Sequence, residues 1–361
     1  GFGYWIFIDT NIAFNVFTAV LIVACPCALA LTAPFTMGNV LRIMGKKKFY
    51  LKNALVIEQL AKVDTIVFDK TGTITTNKKS NISYEGSPLS DDNLMILKNV
   101  LRASNHPLSR MLYDFLPECK RILINDFEEI TGKGVQAIVG TIQIKVGSAD
   151  FVGKNEDNNI QQTSVHIKIN DVYHGKYIFN NQYRDGLAEL FKELSPNYQI
   201  KVLSGDNEGE RTSLESILPK NTELIFNQKP EQKLEFIKKL QQEGKNVMMV
   251  GDGLNDAGAL AQSNIGISIS ENVNVFSPAC DAILDASEFK KLNYFLKLSK
   301  KSITTIKMSF ALSILYNIVG LSFAITGNLL PLVAAIIMPL STVTIVSFVT
   351  IASNFYAKRL D

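Results

Sequence analysis

Two long stretches without a charged side chain constrain this chain more than any other feature. No Asp, Glu, Lys or Arg occurs in 10–41 or in 308–357. A helix needs about 20 apolar residues to cross a bilayer. The first stretch can therefore hold one membrane span. The second can hold two, because Gly327 and Asn328 offer a turn between them. The predicted spans are 12–33, 305–326 and 330–352.

Basic side chains stand beside the predicted membrane ends. They are Lys46, Lys47, Lys48, Lys52, Lys290, Lys291, Lys297, Lys300, Lys301, Lys307, Lys358 and Arg359. Because basic flanks stay in the cytoplasm, they predict that 53–300 is cytoplasmic and that the last two spans form a hairpin. Four cysteines, two of them in the first apolar stretch, indicate no disulfide framework and suit a reducing compartment.

The cytoplasmic segment is predicted to form a parallel α/β sheet. It contains short apolar runs typical of strands buried on both faces, namely 65–68, 199–206, 246–256, 264–270 and 281–285. Three runs carry an aspartate at the end of the strand, Asp69, Asp206 and Asp252. Open α/β sheets place their sites at this end. A helix that begins near Pro230 adds Lys233 in its first turn.

These residues form a set suited to phosphoryl transfer. The predicted cluster contains Asp69, Lys70, Asp206, Lys233, Asp252 and Asp256. Crowded carboxylates bind a cation or take up protons, and Mg²⁺ binds one or two of them together with phosphate oxygens. An aspartate can act as the nucleophile, while lysines neutralise the transferred phosphoryl group. The alternative is that the acids only cap helices, which is the common role of a single strand-end aspartate.

The stretch of about 130 residues between Asp69 and Ile200 is too long for a loop and predicts an inserted domain. Its alternating patterns at 135–146 and 164–179 indicate hairpins. Helices are predicted at 91–103 and 107–121, and a polar loop at 153–164. His166 and His174 have no partner pattern and are expected on the strand surface.

Three motifs resemble the phosphorylation-domain signatures of P-type ATPases. They are DKTGT at 69–73, SGD at 204–206 and GDGLNDAGAL at 251–260. The resemblance implies an α/β and membrane protein with three transmembrane helices, and a HAD-like doubly wound phosphorylation domain with an inserted α+β nucleotide-binding domain. The expected divisions are 1–52 and 291–361 for the membrane spans, 53–80 with 180–290 for phosphorylation, and 81–179 for nucleotide binding.

The resemblance also implies residue roles. Asp69 would accept the γ-phosphate of ATP, and Mg²⁺ would be held by Asp69, Asp252 and the Thr71 carbonyl. The catalytic set would be Asp69, Lys70, Thr71, Thr73, Ser204, Gly205, Asp206, Lys233, Asn255 and Asp256. Ser204 stands where the family usually has Thr, which keeps the hydroxyl, and Gly258 where it usually has Pro.

Two further motifs resemble the nucleotide-binding domain of heavy-metal (type IB) P-type ATPases. His106-Pro107 and the Gly132-x-Gly134 loop would surround the adenine of ATP. Each motif alone is more often a turn. The family often has an acid five residues before the histidine, and Leu101 occupies that position here.

Cys25-Pro26-Cys27 interrupts the first apolar stretch. Proline has no N–H, so the helix is expected to kink or unwind there. In a continuous helix the two cysteines would point about 200° apart, whereas a break lets both sulfurs face one point. Transporters bind ions at broken helices in mid-membrane. Two thiolates favour Cu(I) and also bind Zn(II). The alternative is a kink that packs two small residues.

The last two predicted spans contain no acid to balance a divalent ion. They contain Tyr316, Asn317, Met338 and Ser341, of which the last two lie on one helix face. With Cys25 and Cys27 these residues resemble the ligand set of the copper-transporting subgroup, including the branch that supplies copper to cbb3-type oxidases. A thioether with two thiolates suits Cu(I) or Ag(I). Zinc-type relatives carry a Lys and an Asp in these spans.

No Thr-Gly-Glu occurs in the chain, so the resemblance implies the carboxy-terminal portion of a pump. The implied function is ATP-driven Cu(I) export across a bacterial inner membrane. Its partners would be the lipid bilayer, the metal ion and a copper chaperone, and no nucleic acid. The alternatives are a membrane-tethered HAD-type phosphotransferase without transport, a zinc- or cadmium-exporting relative, and a metal-binding membrane protein with a degenerate ATPase domain.

Overall fold

A computed structural model describes residues 1–25, 27–76, 81–130, 132–154, 163–180, 182–253, 256–271 and 280–360. The helices are α1 (Phe2–Trp5), α2 (Thr10–Val23), α3 (Cys27–Lys46), α4 (Leu55–Lys62), α5 (Asp91–Arg102), α6 (Pro107–Phe115), α7 (Ala149–Val152), α8 (Leu187–Leu194), α9 (Arg211–Ile217), α10 (Pro230–Gln242), α11 (Ala257–Gln262), α12 (Leu292–Ile325) and α13 (Pro331–Leu360). Short 3₁₀ turns occupy Glu208–Glu210 and Ala286–Lys291.

The strands are β1 (Phe49–Leu51), β2 (Thr65–Asp69), β3 (Asn81–Gly86), β4 (Asp126–Ile130), β5 (Gly134–Val139), β6 (Ile142–Gly147), β7 (Ser164–Ile169), β8 (Val172–Asn180), β9 (Gln199–Leu203), β10 (Glu223–Ile225), β11 (Val247–Gly251), β12 (Ile265–Ser270) and β13 (Ala282–Asp285). The chain divides into two compact units. The first contains Gly1–Asp69, Asp185–Leu203 and Pro219–Asp361, and the second contains Lys70–Arg184 and Ser204–Leu218.

The first unit is built on a mostly parallel sheet. Among the described residues its strand order is β1-β13-β12-β11-β2-β9-β10, and β1 alone runs antiparallel to its neighbour. Every residue of β2 and β11 is buried, because helices cover both faces of such a sheet. The five predicted strands are confirmed. The three-residue strands β1 and β10 are too short for a sequence pattern to reveal.

The part of the first unit that was predicted to span the membrane differs from the prediction at one point. The single span expected at 12–33 is divided into α2, which ends at Val23, and α3, which begins at Cys27. The break confirms the expected effect of the proline, although Pro26 itself lies outside the described residues. α13 packs against α2, α3 and α12. Gly327, at φ +79°, lies in the predicted turn between α12 and α13.

Two stretches in the described part of the chain, Ala286–Ile325 and Pro331–Leu360, are long and apolar enough to cross a membrane. Their outer faces expose large apolar side chains, among them Leu332 at 73% and Ile336 at 61% exposure. Contact with lipid would remove this surface from water, which is the arrangement expected of membrane helices.

The second unit is an α+β fold. Its described strands form an antiparallel sheet in the order β3-β8-β7-β6-β5-β4, and side chains of α5 and α6 complete the core. Both predicted hairpins are confirmed. The helix predicted at 107–121 ends at Phe115, because Pro117 cannot donate a helical hydrogen bond and disfavours helical backbone at Leu116.

One histidine of the second unit is not where the sequence predicted. His166 is only 1% exposed, so the expectation of a surface position is wrong. Its two ring nitrogens lie 3.0 Å from the hydroxyls of Ser164 and Tyr173. These hydrogen bonds satisfy both nitrogens and make burial of the ring possible.

Candidate functional site

A buried ion cluster lies at the carboxyl end of β2. Lys233 Nζ is 2.5 Å from Asp69 Oδ1 and 2.7 Å from Asp256 Oδ1. The exposures are 4% for Asp69, 6% for Lys233 and 2% for Asp256. Pro230 pre-organises the first turn of α10, which places Lys233 at this position. Asp256 immediately precedes α11. The structure thus brings together three residues that the sequence predicted to cluster.

Burial and charge shift the pKa of each member of this cluster. Burial, followed by the negative charge of Asp256, raises the pKa of Asp69 to about 7, against the opposing effect of Lys233. Burial also raises the pKa of Asp256, again opposed by Lys233. Burial alone would lower the pKa of Lys233, but the charges on Asp69 and Asp256 raise it above its ordinary value. Lys233 is therefore held in its protonated form, whereas both carboxylates bind a proton more strongly than an ordinary aspartate does.

Asp252 follows β11, and β11 is the neighbour of β2 in the sheet. In the part of the chain that the structure describes, no group of three or more His, Cys, Asp or Glu side chains is arranged as a metal site. Mg²⁺ needs only one or two carboxylates, because waters and phosphate oxygens complete its coordination. The strand-end carboxylates Asp69 and Asp252 fit that requirement. Asn255, predicted in the same loop, lies outside the described residues.

In the second unit, Lys70 lies between two acids. Its Nζ is 2.6 Å from Asp206 Oδ2 and 2.5 Å from Glu210 Oε2, and the lysine is 1% exposed. Burial alone would lower the pKa of Lys70, but the hydrogen bonds with Asp206 and Glu210 raise it. Thr71 Oγ1 donates to Asp206 Oδ2 (3.3 Å). The Asp206 N–H donates to Ser204 Oγ (3.0 Å).

The turn that begins at Lys70 is held by a buried arginine. Arg184 donates to the Thr73 carbonyl through Nε (2.6 Å) and to the Gly72 carbonyl through Nη2 (2.8 Å). Gly72 has φ +72°, a backbone conformation that favours glycine. Thr73 is fully buried, and its Oγ1 has no hydrogen-bond partner among the described residues. A phosphate oxygen is the kind of acceptor that this hydroxyl could bind. Gly205 lies in the loop between Ser204 and Asp206.

A cavity of about 350 Å³ in the second unit is lined by His106, Gly132 and Gly134, together with Glu129 and residues of β6 and β7. A side chain on Gly134 would meet the Val146 carbonyl oxygen at 2.3 Å, so only glycine fits there. His106 caps α6, because its Nδ1 accepts the Leu108 N–H (3.3 Å). Pro107 is the first residue of that helix. Leu101 is fully buried in the core.

In the membrane part, the sulfur atoms of Cys25 and Cys27 are bonded to each other, which the sequence analysis did not expect. A continuous helix, with about 200° between these residues, would keep their side chains apart. The break between α2 and α3 removes that restriction. The two sulfurs therefore meet at one point, and in the reduced state both thiolates could bind the same ion.

Of the other predicted membrane ligands, Met338 and Ser341 are buried at 8% and 2% exposure. Both lie on α13, which packs against the helices on either side of the cysteine pair. Ser341 Oγ donates to the Met338 carbonyl (2.7 Å). Tyr316 and Asn317 are half-buried on α12.

Several residues at these sites were not predicted from the sequence. Glu210 lies against Lys70, and the only sequence signal was an acid shortly after the SGD motif. Arg184 supports the turn that begins at Lys70 from 111 residues away, and no local pattern identifies it. Glu129 lines the cavity because β4, a strand the sequence analysis did not predict, leads up to the glycine loop.

Comparison with known proteins gives a family match over the site. The sequence model of the family described as "Hydrolase: haloacid dehalogenase-like hydrolase" matches residues 63–264. A copper-exporting P-type ATPase of Staphylococcus saprophyticus is 31% identical over 344 residues, which cover 91% of this chain and 43% of that protein. The nitrogen fixation protein FixI of Rhizobium leguminosarum bv. viciae is 29% identical over 366 residues, which cover 98% of this chain and 46% of that protein. The chain spans less than half the length of these relatives.

Two solved structures share the fold. A zinc-transporting PIB-type ATPase in its E2.Pi state matches 91% of this chain and 56% of its own, with a TM-score of 0.76 and 23% identity. The catalytic domain of the CPx-ATPase CopB-B matches 72% of this chain and 98% of its own, with a TM-score of 0.54 and 28% identity.

Proposed function

Because the chain belongs to the haloacid dehalogenase-like hydrolases and, among them, to the heavy-metal P-type ATPases, we propose that Asp69 is phosphorylated by ATP. We further propose that this step drives export of Cu(I) or Ag(I) through the membrane helices. The observation that carries the proposal is the buried contact of Lys233 with both Asp69 and Asp256 at the end of β2.

In the proposed reaction, a carboxylate oxygen of Asp69 attacks the γ-phosphorus of ATP. The bond from that phosphorus to the β,γ-bridging oxygen breaks, and ADP leaves with the bond's electron pair. Lys233 favours the ionised, nucleophilic form of Asp69 and attracts the negative phosphoryl oxygens. Bound Mg²⁺ would supply further positive charge to those oxygens. Asp69 and Asp252 would hold the ion. The role of the Thr71 carbonyl as a further ligand stays a prediction.

The second unit supports nucleotide binding. Its cavity joins His106 to a glycine-lined wall, and the buried hydroxyl of Thr73 has an unused hydrogen bond among the described residues. A buried hydroxyl without a partner costs about 1–3 kcal/mol, and a phosphate oxygen would recover part of this cost. We infer that Lys70, Thr71, Ser204, Gly205 and Asp206 serve the phosphate end of the nucleotide.

The proposed cargo follows from the membrane residues. Cys25 and Cys27 place two sulfurs together, and Met338 adds a buried thioether on a helix that packs against both flanking helices. Soft ligands in a span without acids suit a monovalent ion such as Cu(I). We assign Tyr316, Asn317 and Ser341 to the same pathway. The basic flanks support a cytoplasmic position for 53–300. We assign the apolar helices to a bacterial inner membrane. A copper chaperone as donor stays a prediction.

The test is phosphoenzyme formation in membranes from cells that express the complete reading frame. Acid-stable, hydroxylamine-labile ³²P from ATP is measured with Cu(I) and with Zn(II). Asp69→Asn should abolish the label, and Cys25→Ser should abolish its dependence on Cu(I). Cys119→Ser is the matched control, because this free thiol lies in the second unit.

Three results would contradict parts of the proposal. Labelling that ignores metal and survives Cys25→Ser would indicate a tethered phosphotransferase without transport. Labelling that needs Zn(II) instead of Cu(I) would indicate a zinc-exporting relative. Cu(I) binding without any label would indicate a degenerate ATPase domain.

A further inference from the structure

We propose that Glu129 recognises the exocyclic amino group of the adenine base, with Ser104 as the residue that positions its carboxylate. This inference rests on the proposed binding of ATP in the second unit. It adds a specificity-determining residue that lies outside the His106-Pro107 and Gly132-x-Gly134 motifs.

Glu129 is the only carboxylate among the described residues that line the 350 Å³ cavity. It lies on β4, one residue before the strand ends at Ile130 and close to the glycine loop that follows. The opposite strand places Val135 across from it. The side chain therefore stands at the mouth of the same cavity that His106, Gly132 and Gly134 line.

Ser104 connects this carboxylate to the histidine motif. Its Oγ donates to Glu129 Oε1 (3.1 Å) and accepts the backbone N–H of His106 (3.1 Å). Ser104 is fully buried, so the hydroxyl is held in one place. A serine hydroxyl has a single hydrogen to donate, and here Glu129 receives it. The orientation of the carboxylate is therefore linked to the backbone of the His106 loop.

Besides Glu129, the polar side chains His106, Ser109, Lys133, Ser148 and Ser164 line the cavity, and three of them have hydrogen bonds within the protein. His106 Nδ1 accepts the N–H of Leu108, Ser148 Oγ accepts the N–H of Phe151 (3.4 Å), and Ser164 Oγ bonds the His166 ring. An ionised carboxylate has about four lone-pair positions, so the bond from Ser104 leaves Glu129 able to accept from a ligand. Among the described lining residues, Glu129 is thus the one anionic acceptor, and it lies beside glycines, valines and the side chain of Lys133.

Adenine matches this arrangement. Its flat faces can lie against the backbone of Gly134 and Gly147, which line the cavity, and its amino group donates hydrogen bonds in the plane of the ring. A hydrogen bond to a charged acceptor is stronger than a neutral one. Glu129 would therefore favour a purine that carries the amino group over one that lacks it.

The test compares ATP with purine riboside 5′-triphosphate, which differs from ATP only by loss of that amino group. Binding to the 361-residue chain in detergent is measured by titration calorimetry without Mg²⁺. The unmodified chain should bind ATP about tenfold more tightly than the analogue, equivalent to about 1.4 kcal/mol. Glu129→Ala should bind the two nucleotides equally, by losing ATP affinity and leaving the affinity for the analogue unchanged.

Glu128→Ala is the matched control. Its carboxylate accepts the side-chain amide of Gln136 (2.6 Å) and does not line the cavity, so the tenfold preference should remain. Ser104→Ala should reduce the preference without abolishing it, and circular dichroism verifies that each variant is folded. ATP binding with an unchanged preference in Glu129→Ala would overturn the inference and leave the proposed function standing. Absence of any nucleotide binding by the unmodified chain would overturn both.

Discussion

At the residue scale, one lysine decides the behaviour of two buried acids. Lys233 contacts Asp69 and Asp256, and the three side chains are almost completely removed from solvent. Burial, together with the negative charge of Asp256, outweighs the effect of Lys233 and raises the pKa of Asp69 to about 7. A carboxyl group with this pKa ionises readily when a second cation binds beside it. In the proposed reaction this is a physical reason for Mg²⁺ to bind before phosphoryl transfer.

The raised pKa of Asp69 predicts a pH-dependent stability. The folded state keeps the proton between about pH 4, where an ordinary aspartate loses it, and about pH 7. Stability from this group is therefore lost as the pH rises through that interval. As the pH rises from 5 to 7, the unmodified chain should lose thermal stability from this group. Asp69→Asn cannot ionise, so its stability relative to the unmodified chain should increase over the same interval. At about 1.4 kcal/mol per pKa unit, the gain should be roughly 1–3 kcal/mol, followed by circular dichroism without Mg²⁺.

Asp64→Asn is the control for this experiment. Burial alone would raise the pKa of Asp64, but hydrogen bonds from Asn246 and Thr65 lower it. The stability that ionised Asp64 contributes is fully present above its pKa in the unfolded state. This stability is lost only as the pH falls through the pKa of Asp64 in the folded state. The difference between Asp64→Asn and the unmodified chain should therefore stay constant from pH 5 to pH 8. An equally constant difference for Asp69→Asn would contradict the raised pKa.

At the element scale, the positions of two prolines decide which backbone carbonyl of α13 lacks a helical hydrogen bond. Pro339 lies inside α13, where it removes a hydrogen bond to the Ala335 carbonyl. Pro331 begins the same helix, where a missing N–H costs nothing. Pro339 therefore leaves the Ala335 carbonyl, near Met338, without a helical hydrogen bond, whereas Pro331 removes none.

Replacing these prolines should separate helix stability from function. Pro339→Ala restores a helical hydrogen bond and removes a cost of up to about 3 kcal/mol, so the thermal stability should rise. If the free carbonyl serves the metal path, Cu(I)-dependent phosphorylation should fall several-fold in the same variant. Pro331→Ala should leave the phosphoenzyme level unchanged. A stabilised Pro339→Ala variant with full Cu(I) response would show that the break has no part in metal handling.

At the scale of the whole molecule, the chain contains two units with separate cores. The core of the second unit gathers α5, α6 and its antiparallel sheet, whereas the parallel sheet of the first unit has its own cluster around Val67 and Met249. We therefore expect two transitions in thermal unfolding, one for each unit.

ATP without Mg²⁺ should raise one transition selectively. At 100 times the dissociation constant a ligand adds about 2.7 kcal/mol to the unit that binds it. Gly134→Ala identifies that transition, because the added Cβ would meet the Val146 carbonyl at 2.3 Å and should destabilise the second unit by about 1–3 kcal/mol. Gly45→Ala, with no neighbouring atom within 4 Å, is the control. The prediction fails if ATP raises the transition that Gly134→Ala leaves unchanged.

Much of the fold could be predicted because its signals are local. The buried strands β2 and β11 are continuous apolar runs, and Pro230 and Gly244 bracket α10. The end of α6 at Phe115 was missed, although Pro117 was visible, because the apolar pattern continues past it. The roles of the predicted site residues stay predictions.

The longer buried strands of the parallel sheet, the break at Cys25-Pro26-Cys27 and the motif residues could be identified from the sequence alone, because backbone sterics and apolar periodicity act between neighbours in the chain. Only the tertiary structure decided which distant side chains meet. Glu210 lies 140 residues from Lys70, Arg184 lies 111 residues from Thr73, and Ser104 lies 25 residues from Glu129. No local pattern encodes such contacts, because they arise when packing the core removes polar groups from water and leaves each one to find a partner.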